Sequence, residues 1–288
     1  MNTKKEKIIR TLMVAAAIVL GIKYILTDFG IDAGFQLTMS YRLATGDVML
    51  KEMWEPYQMS AFLCAPLIAL WLAVFRTTTG LVLYLQTAGV LVDAAVSCLF
   101  YSRIKKHFPE MERAAFLMAW LFFVVSPKDV PIPEYANLQL WLTLLLCLCL
   151  LEYHFTEKRR FIVLGAICMC GIVLAYPSCA LIFIAAMVIL VKHGRKSDAG
   201  LFAGLCFGIG GIYTALLLKN IGISGLITVL HGMFALETSH GTKLSEKFLW
   251  YAGDAAKIAV GLLIAYLISF LLTRIPAMKK RLPAEVPD

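Results

Sequence analysis

The chain has 288 residues, of which 60% are hydrophobic and only 16% charged, with a formal net charge of +8 and a mean hydropathy of +0.78. Soluble domains run at about half apolar and about a quarter charged, so this composition belongs to the membrane class. The basic residues fall in short clusters between apolar runs and make no continuous basic face, which argues against nucleic acid as a partner.

Lys4, Lys5, Lys7 and Arg10 precede an apolar run over residues 11–26 that is followed by no small-x-small cleavage site, the pattern of an uncleaved anchor and first membrane span. Residues 28–80 then form a first outer loop. It gathers Asp28, Asp32, Asp47, Glu52 and Glu55 beside Arg42, Lys51, Phe35, Tyr41 and Trp54. Asp28 reads as the wet end of the first span. Phe35, Leu37, Met39, Tyr41 and Leu43 alternate as a strand would, yet no second alternating run exists to pair with them. A short interfacial helix that starts after Asp32 and stops at Gly46 fits better, with Asp32 as its N-cap.

Residues 59–75 are apolar enough to cross a bilayer. Counting them as a crossing, however, would put the later basic clusters outside, against the positive-inside bias. They are expected to form a helix that lies on the outer surface or dips in and out, bent near Pro66. Seven further spans follow near residues 81–101, 114–125, 135–153, 161–175, 179–191, 199–218 and 250–272. Several are shorter than the ~20 residues a spanning helix needs. With eight crossings, Lys/Arg clusters at 4–10, 103–113, 158–160, 192–196 and 274–281 all fall on the inner side, and both termini are cytoplasmic. The outer side receives residues 126–134, a Tyr176-Pro177-Ser178 turn and residues 219–249. The fold class is an all-α polytopic membrane protein, a single domain over 1–288 with about eight transmembrane helices plus interfacial helices in the first outer loop.

Eight cysteines lie in apolar segments without a zinc-like spacing to histidine, and read as small hydrophobes. His231 and His240, with Glu237 between them, are not one helical turn apart and have no evident third ligand. No cofactor is evident, and no ligand cluster supports a divalent cation. Asp93 is the main charge deep in a span; it suits either an ion pathway or pairing with a buried cation. The tryptophans, and the stretch 141–151, read as ordinary lipid-facing or packing residues.

Three stretches carry a resemblance. They are Ile31-Asp32-Ala33-Gly34-Phe35-Gln36, Tyr41-Arg42-Leu43-Ala44-Thr45-Gly46-Asp47, and Glu52-Met53-Trp54-Glu55-Pro56-Tyr57-Gln58. Together they resemble the first outer loop of the C-type (GT-C) membrane glycosyltransferases, which include protein O-mannosyltransferases and aminoarabinose transferases of lipid A. The Tyr-Pro-Ser break at 176–178 is also similar. Two departures stand out: Ala33 occupies the place where the family usually has the second acid of a pair, and the chain stops soon after its eighth span.

The resemblance implies a polyprenyl-phosphate-linked sugar as donor and a hydroxyl of a lipid, glycan or protein as acceptor, with transfer at the outer face among membrane lipids. Such chemistry needs a carboxylate to take the acceptor proton, for which Asp32 is the candidate. It also needs cations on the departing phosphate, for which Arg42, Lys51 and Lys128 are candidates. Asp129 or Glu134 would share acceptor binding, and Glu52, Glu55, His240 and Lys243 would contact substrate from the outer loops. Plain structural roles compete with each: a helix cap for Asp32, turn solvation for Glu52 and Glu55, lipid headgroup contacts for the cations. Two other functions stay open. One is a non-catalytic subunit that binds a lipid-linked sugar or assists assembly, motivated by Ala33; the other is a secondary transporter, motivated by Asp93.

Overall fold

The computed structural model describes residues 3–27, 30–52, 58–125, 130–193 and 195–239, with isolated helical positions at 249, 253, 256, 257 and 260. The chain divides into two units, Met1–Ile227 and Thr228–Asp288. Of the second, the described residues are the last stretch of one helix and those isolated positions. Everything below concerns the first.

Every regular element among the described residues is helical. Helix α1 runs Thr3–Leu26, α2 Ile31–Thr45, α3 Gln58–Phe75, α4 Leu81–His107, α5 Glu112–Val124, α6 Tyr135–Thr156, α7 Arg159–Ala175, α8 Leu181–His193 and α9 Lys196–Ser239. Four of them are long and apolar enough to cross a membrane: Lys4–Leu26, Leu81–His107, Tyr135–Thr156 and Lys196–Val229. These match four of the eight expected spans. By contrast α5 and α8 have 13 residues each. At 1.5 Å per residue they reach about 20 Å, short of a hydrocarbon core of about 30 Å. Helix α7, with 17 residues, falls between. The eighth expected span, residues 250–272, lies outside the described residues apart from single positions. Residues past 218, expected as an outer segment, continue as helix to Ser239, broken at Gly222, whose φ of 68° leaves the helical region.

Charge pairs show which helix ends lie together. Glu112 at the start of α5 accepts from Arg10 of α1 (2.9 Å) and Lys105 of α4 (3.0 Å), and Arg113 reaches Glu6 (2.9 Å). Glu152 near the end of α6 meets His107 (2.8 Å), Arg103 and Lys106 of α4 (3.4 Å each). Asp198 at the start of α9 accepts from Arg159 of α7 (2.8 Å) and from the Tyr153 hydroxyl (2.7 Å). The His154 and His193 rings, 6.2 Å apart, bring the end of α8 to the same place. Four of the five basic clusters therefore share one end of the bundle, as the charge pattern required; the fifth, residues 274–281, lies outside the described residues.

At the opposite end, Tyr24 donates to Val124 O (2.8 Å) and Gln86 to Thr27 O (2.7 Å), joining the far ends of α1, α5 and α4. Helices α2 and α3 pack together there. Phe62 of α3 meets Tyr213 of α9, while Trp71 stacks on Tyr84 in the first turn of α4. Both halves of α3 are thus tied to the end remote from the basic residues, so α3 lies across that end. Pro66 sits inside it.

Packing follows the rule for helices in an apolar medium, where close fit between small and large side chains replaces water exclusion as the source of association. Leu146, Ile162, Ala166, Met169, Ile172, Ala186, Leu190 and Phe202 form one core among α6, α7, α8 and α9. Leu37, Cys64, Ile68, Leu81, Leu85 and Ile132 form a second between α2, α3, α4 and the segment before α6. All eight cysteines are free thiols.

Candidate functional site

Helix α2 settles the ambiguous stretch after the first span. It ends as the sequence indicates: Gly46 takes φ 115°, a left-handed cap that L side chains resist, and its N–H meets the carbonyls of Arg42 and Leu43. Its start differs by two residues. Gly30 is the N-cap, and Asp32 lies inside the first turn. The capping role proposed for Asp32 is therefore corrected. The residue is exposed, in the first turn of a helix, whose N-terminal N–H groups favour negative charge.

The Tyr135 hydroxyl donates to Asp32 Oδ2 at 3.4 Å. Tyr135 in turn stacks on Tyr176, with ring centroids 6.0 Å apart and planes at 28°. Three breaks in the helical run converge here: the start of α2, the start of α6, and the Tyr-Pro-Ser turn between α7 and α8. Local sequence explains each. Gly30 interrupts after α1, Pro131 and Pro133 keep the chain before α6 from becoming helix, and Pro177 restarts the chain as a short 3-10 turn over Pro177–Ala180.

The segment ahead of α6 is the least expected feature. Residues 130–134 are irregular yet wholly buried. Buried backbone must find partners. Asn137 Nδ2 supplies two of them, to Val130 O (3.1 Å) and Ile132 O (2.9 Å). Gly89 of α4 makes room: a Cβ there would fall 1.7 Å from Pro131 O. Glu134 ends the segment with no exposed surface and caps α6, accepting from Asn137 N at 3.2 Å. The structure thus gives Glu134 an enclosed capping position, and Tyr135, one residue on, is the side chain that faces Asp32.

Arg42 does not join this group. It lies ten residues from Asp32 on the same helix, about 15 Å along the axis. Its guanidinium is occupied by Asp47 (Nε to Oδ2, 2.5 Å) and by Glu52 O (3.0 Å), while the Glu52 side chain accepts from Val48 N. Arg42, Asp47 and Glu52 therefore fold the chain back after α2, and Lys51 is exposed in that turn. Glu55, Lys128, Asp129, His240 and Lys243 lie outside the described residues, as do Asp28 and Trp54. Among the described residues no three His, Cys, Asp or Glu side chains gather as a metal would require.

Asp93, near mid-length on α4, is buried and accepts from the Trp141 indole at 2.8 Å. Its partner is a neutral donor and not the cation considered from sequence. Trp141 correspondingly is no lipid-facing residue: it is 3% exposed and points into the α4–α6 seam. Two residues at matching depth on different helices leave no trace in a linear pattern, so this pairing could not be read from periodicity.

Comparison with protein-family models, curated proteins and solved structures gives no match.

Proposed function

We propose that the chain is an integral-membrane glycosyltransferase that moves a sugar from a polyprenyl-phosphate donor to an acceptor hydroxyl. The basic end faces the cytoplasm and the Asp32 end faces outward, by the positive-inside bias. Asp32 takes the acceptor proton as the acceptor oxygen bonds to the anomeric carbon; the bond from that carbon to the phosphate oxygen breaks, and polyprenyl phosphate departs with the electron pair.

The observation that carries this proposal is the meeting of Asp32, Tyr135 and Tyr176 at the end remote from the basic clusters. An exposed carboxylate held by a phenol beside two stacked rings is suited to a sugar. The hydroxyl orients the acid, and the ring faces offer apolar surface to a pyranose. Arg42 is assigned to holding the α2 turn, which leaves Lys51 and Lys128 as the candidates for the departing phosphate.

A transport function has one observation in its favour, the carboxylate of Asp93 midway along a spanning helix. The two separate in one reconstituted system. With a panel of polyprenyl-phosphate sugars and acceptors, the full chain is expected to release polyprenyl phosphate and glycosylated product. Asp32→Asn is expected to lose about 100-fold or more of that turnover, the usual worth of a general base, with donor binding retained. Unchanged turnover in Asp32→Asn would remove Asp32 from the chemistry. Ion-driven solute uptake that Asp93→Asn abolishes, with no transfer by the wild type, would establish the transporter instead.

A further inference from the structure

A cleft of about 360 Å³ opens between α6 and α8 at the basic end, far from Asp32. That is within the size range of small-molecule sites, about 300–1,000 Å³. Its walls are apolar, with Leu150, Leu151 and Ile189 among them, and the Cys147 thiol lies along it. At its mouth stand two imidazoles, His154 and His193, in edge-to-face contact. Both are exposed, as are Cys147 and Ile189.

Many of the cations at this end are held by carboxylates. Arg10, Arg103, Lys105, Lys106, Arg113, Arg159 and Arg195 each have a carboxylate within ion-pair distance. His154, His193 and the neighbouring Lys192 have none among the described residues. Across residues 152–160 and 192–198 there are six Lys and Arg against three carboxylates, so the excess is positive where the cleft opens. A cation at a helix C-terminus offsets the helix dipole, which accounts for Lys192 at the end of α8. It does not account for two imidazoles facing each other across an open apolar slot.

We propose that this cleft is a binding site for an anionic phospholipid of the leaflet at the basic end, with an acyl chain along Leu150 and Ile189 and the phosphate headgroup at His154, His193 and Lys192. An apolar slot beside helices that cross a bilayer is filled by hydrocarbon, and unpaired donors at headgroup depth select a negative head. The inference needs only the membrane placement of the bundle; it is independent of sugar transfer.

Cys147 reports on the site directly. The full-length protein is reconstituted with phosphatidylglycerol or with phosphatidylcholine of the same chains, and treated with a small membrane-permeant maleimide. Alkylation is then read at each cysteine by peptide mass, with the exposed Cys98 on α4 as internal reference. Phosphatidylglycerol is expected to slow Cys147 alkylation about tenfold relative to Cys98, at a lipid concentration about ten times its dissociation constant. Phosphatidylcholine is expected to slow it little. The double variant His154→Ala/His193→Ala is expected to abolish the difference between the two lipids, and Ile189→Trp to shield Cys147 without added lipid. Equal protection by both lipids, or by neither, overturns the proposal, and the wild-type contrast decides this even where a variant misfolds.

Discussion

Ion pairs dominate one end of the bundle, and neutral donors are prominent at the other. At the basic end Glu6, Glu112, Glu152, Glu157 and Asp198 each meet at least one Lys or Arg. Toward the other end neutral donors contribute: the Tyr135 hydroxyl donates to Asp32, the Asn137 N–H to Glu134, and the Trp141 indole to Asp93 at mid-depth. Asp47, also at this end, pairs with Arg42 and closes a turn. An acid fastened to a cation is a poor proton acceptor, because its charge is already compensated. A phenol that donates to a carboxylate orients it without itself carrying a positive charge. The basic end ties the bundle together through ion pairs, and the other end carries the site proposed for sugar transfer.

The largest expected effect comes from breaking the support of the Asp32 end. Gly89→Ala would drive a Cβ into Pro131 O. Backbone cannot swing aside as a side chain can, so residues 130–134 must shift and the Glu134 cap is disturbed. The expected cost is about 3 kcal/mol, at the upper side of ordinary overpacking. Thermal unfolding in detergent measures it, and an unchanged midpoint would mean that the buried segment does not rest on α4.

A smaller effect sharpens the role of the phenol. Tyr135→Phe keeps the stack on Tyr176 and removes only the hydroxyl that meets Asp32. A 3.4 Å contact on an exposed acid is worth about 1 kcal/mol at most, so transfer should fall by less than about tenfold while stability holds. A loss as large as that of Asp32→Asn would make Tyr135 a participant in the proton transfer itself.

The smallest effect tests the basic end. Arg10, then Lys105 and Tyr101, hold the Glu112 carboxyl at about 2, below its ordinary 4.5. A depressed carboxyl stabilises the folded state fully above its unfolded value, and the contribution fades as pH falls from about 4.5 through about 2. Glu112→Gln should therefore unfold at a slightly lower temperature than wild type at neutral pH, with the gap closing across that acid window. A gap independent of pH would show that the pairing is inert.

Sequence made much of the frame legible. Long apolar runs foretold α1, α4, α6 and α9, Gly46 foretold the end of α2, and the basic clusters foretold which helix ends meet. Local rules carry that information. The short helices α5, α7 and α8 were legible as apolar runs, while their ends are set by Glu112, by the Tyr176 turn and by the charge pairs. Cross-helix pairings were not legible at all. Nothing local to Asp93 indicates Trp141, and nothing in Glu134 marks it as an enclosed cap when its neighbours are prolines and a loop was expected. Arg42 misled for a related reason: its partner Asp47 lies five residues on, across a turn whose geometry decides whether the guanidinium is occupied.

The opposition between the two ends requires that they face opposite sides of a bilayer. The direct measurement is labelling in intact cells with a membrane-impermeant maleimide, mapped by peptide mass, on the full chain carrying either Asp32→Cys or Lys158→Cys. The expected result is modification at position 32 in intact cells and at position 158 only after permeabilisation. Modification at 158 in intact cells with 32 protected would reverse the orientation and contradict transfer at the outer face.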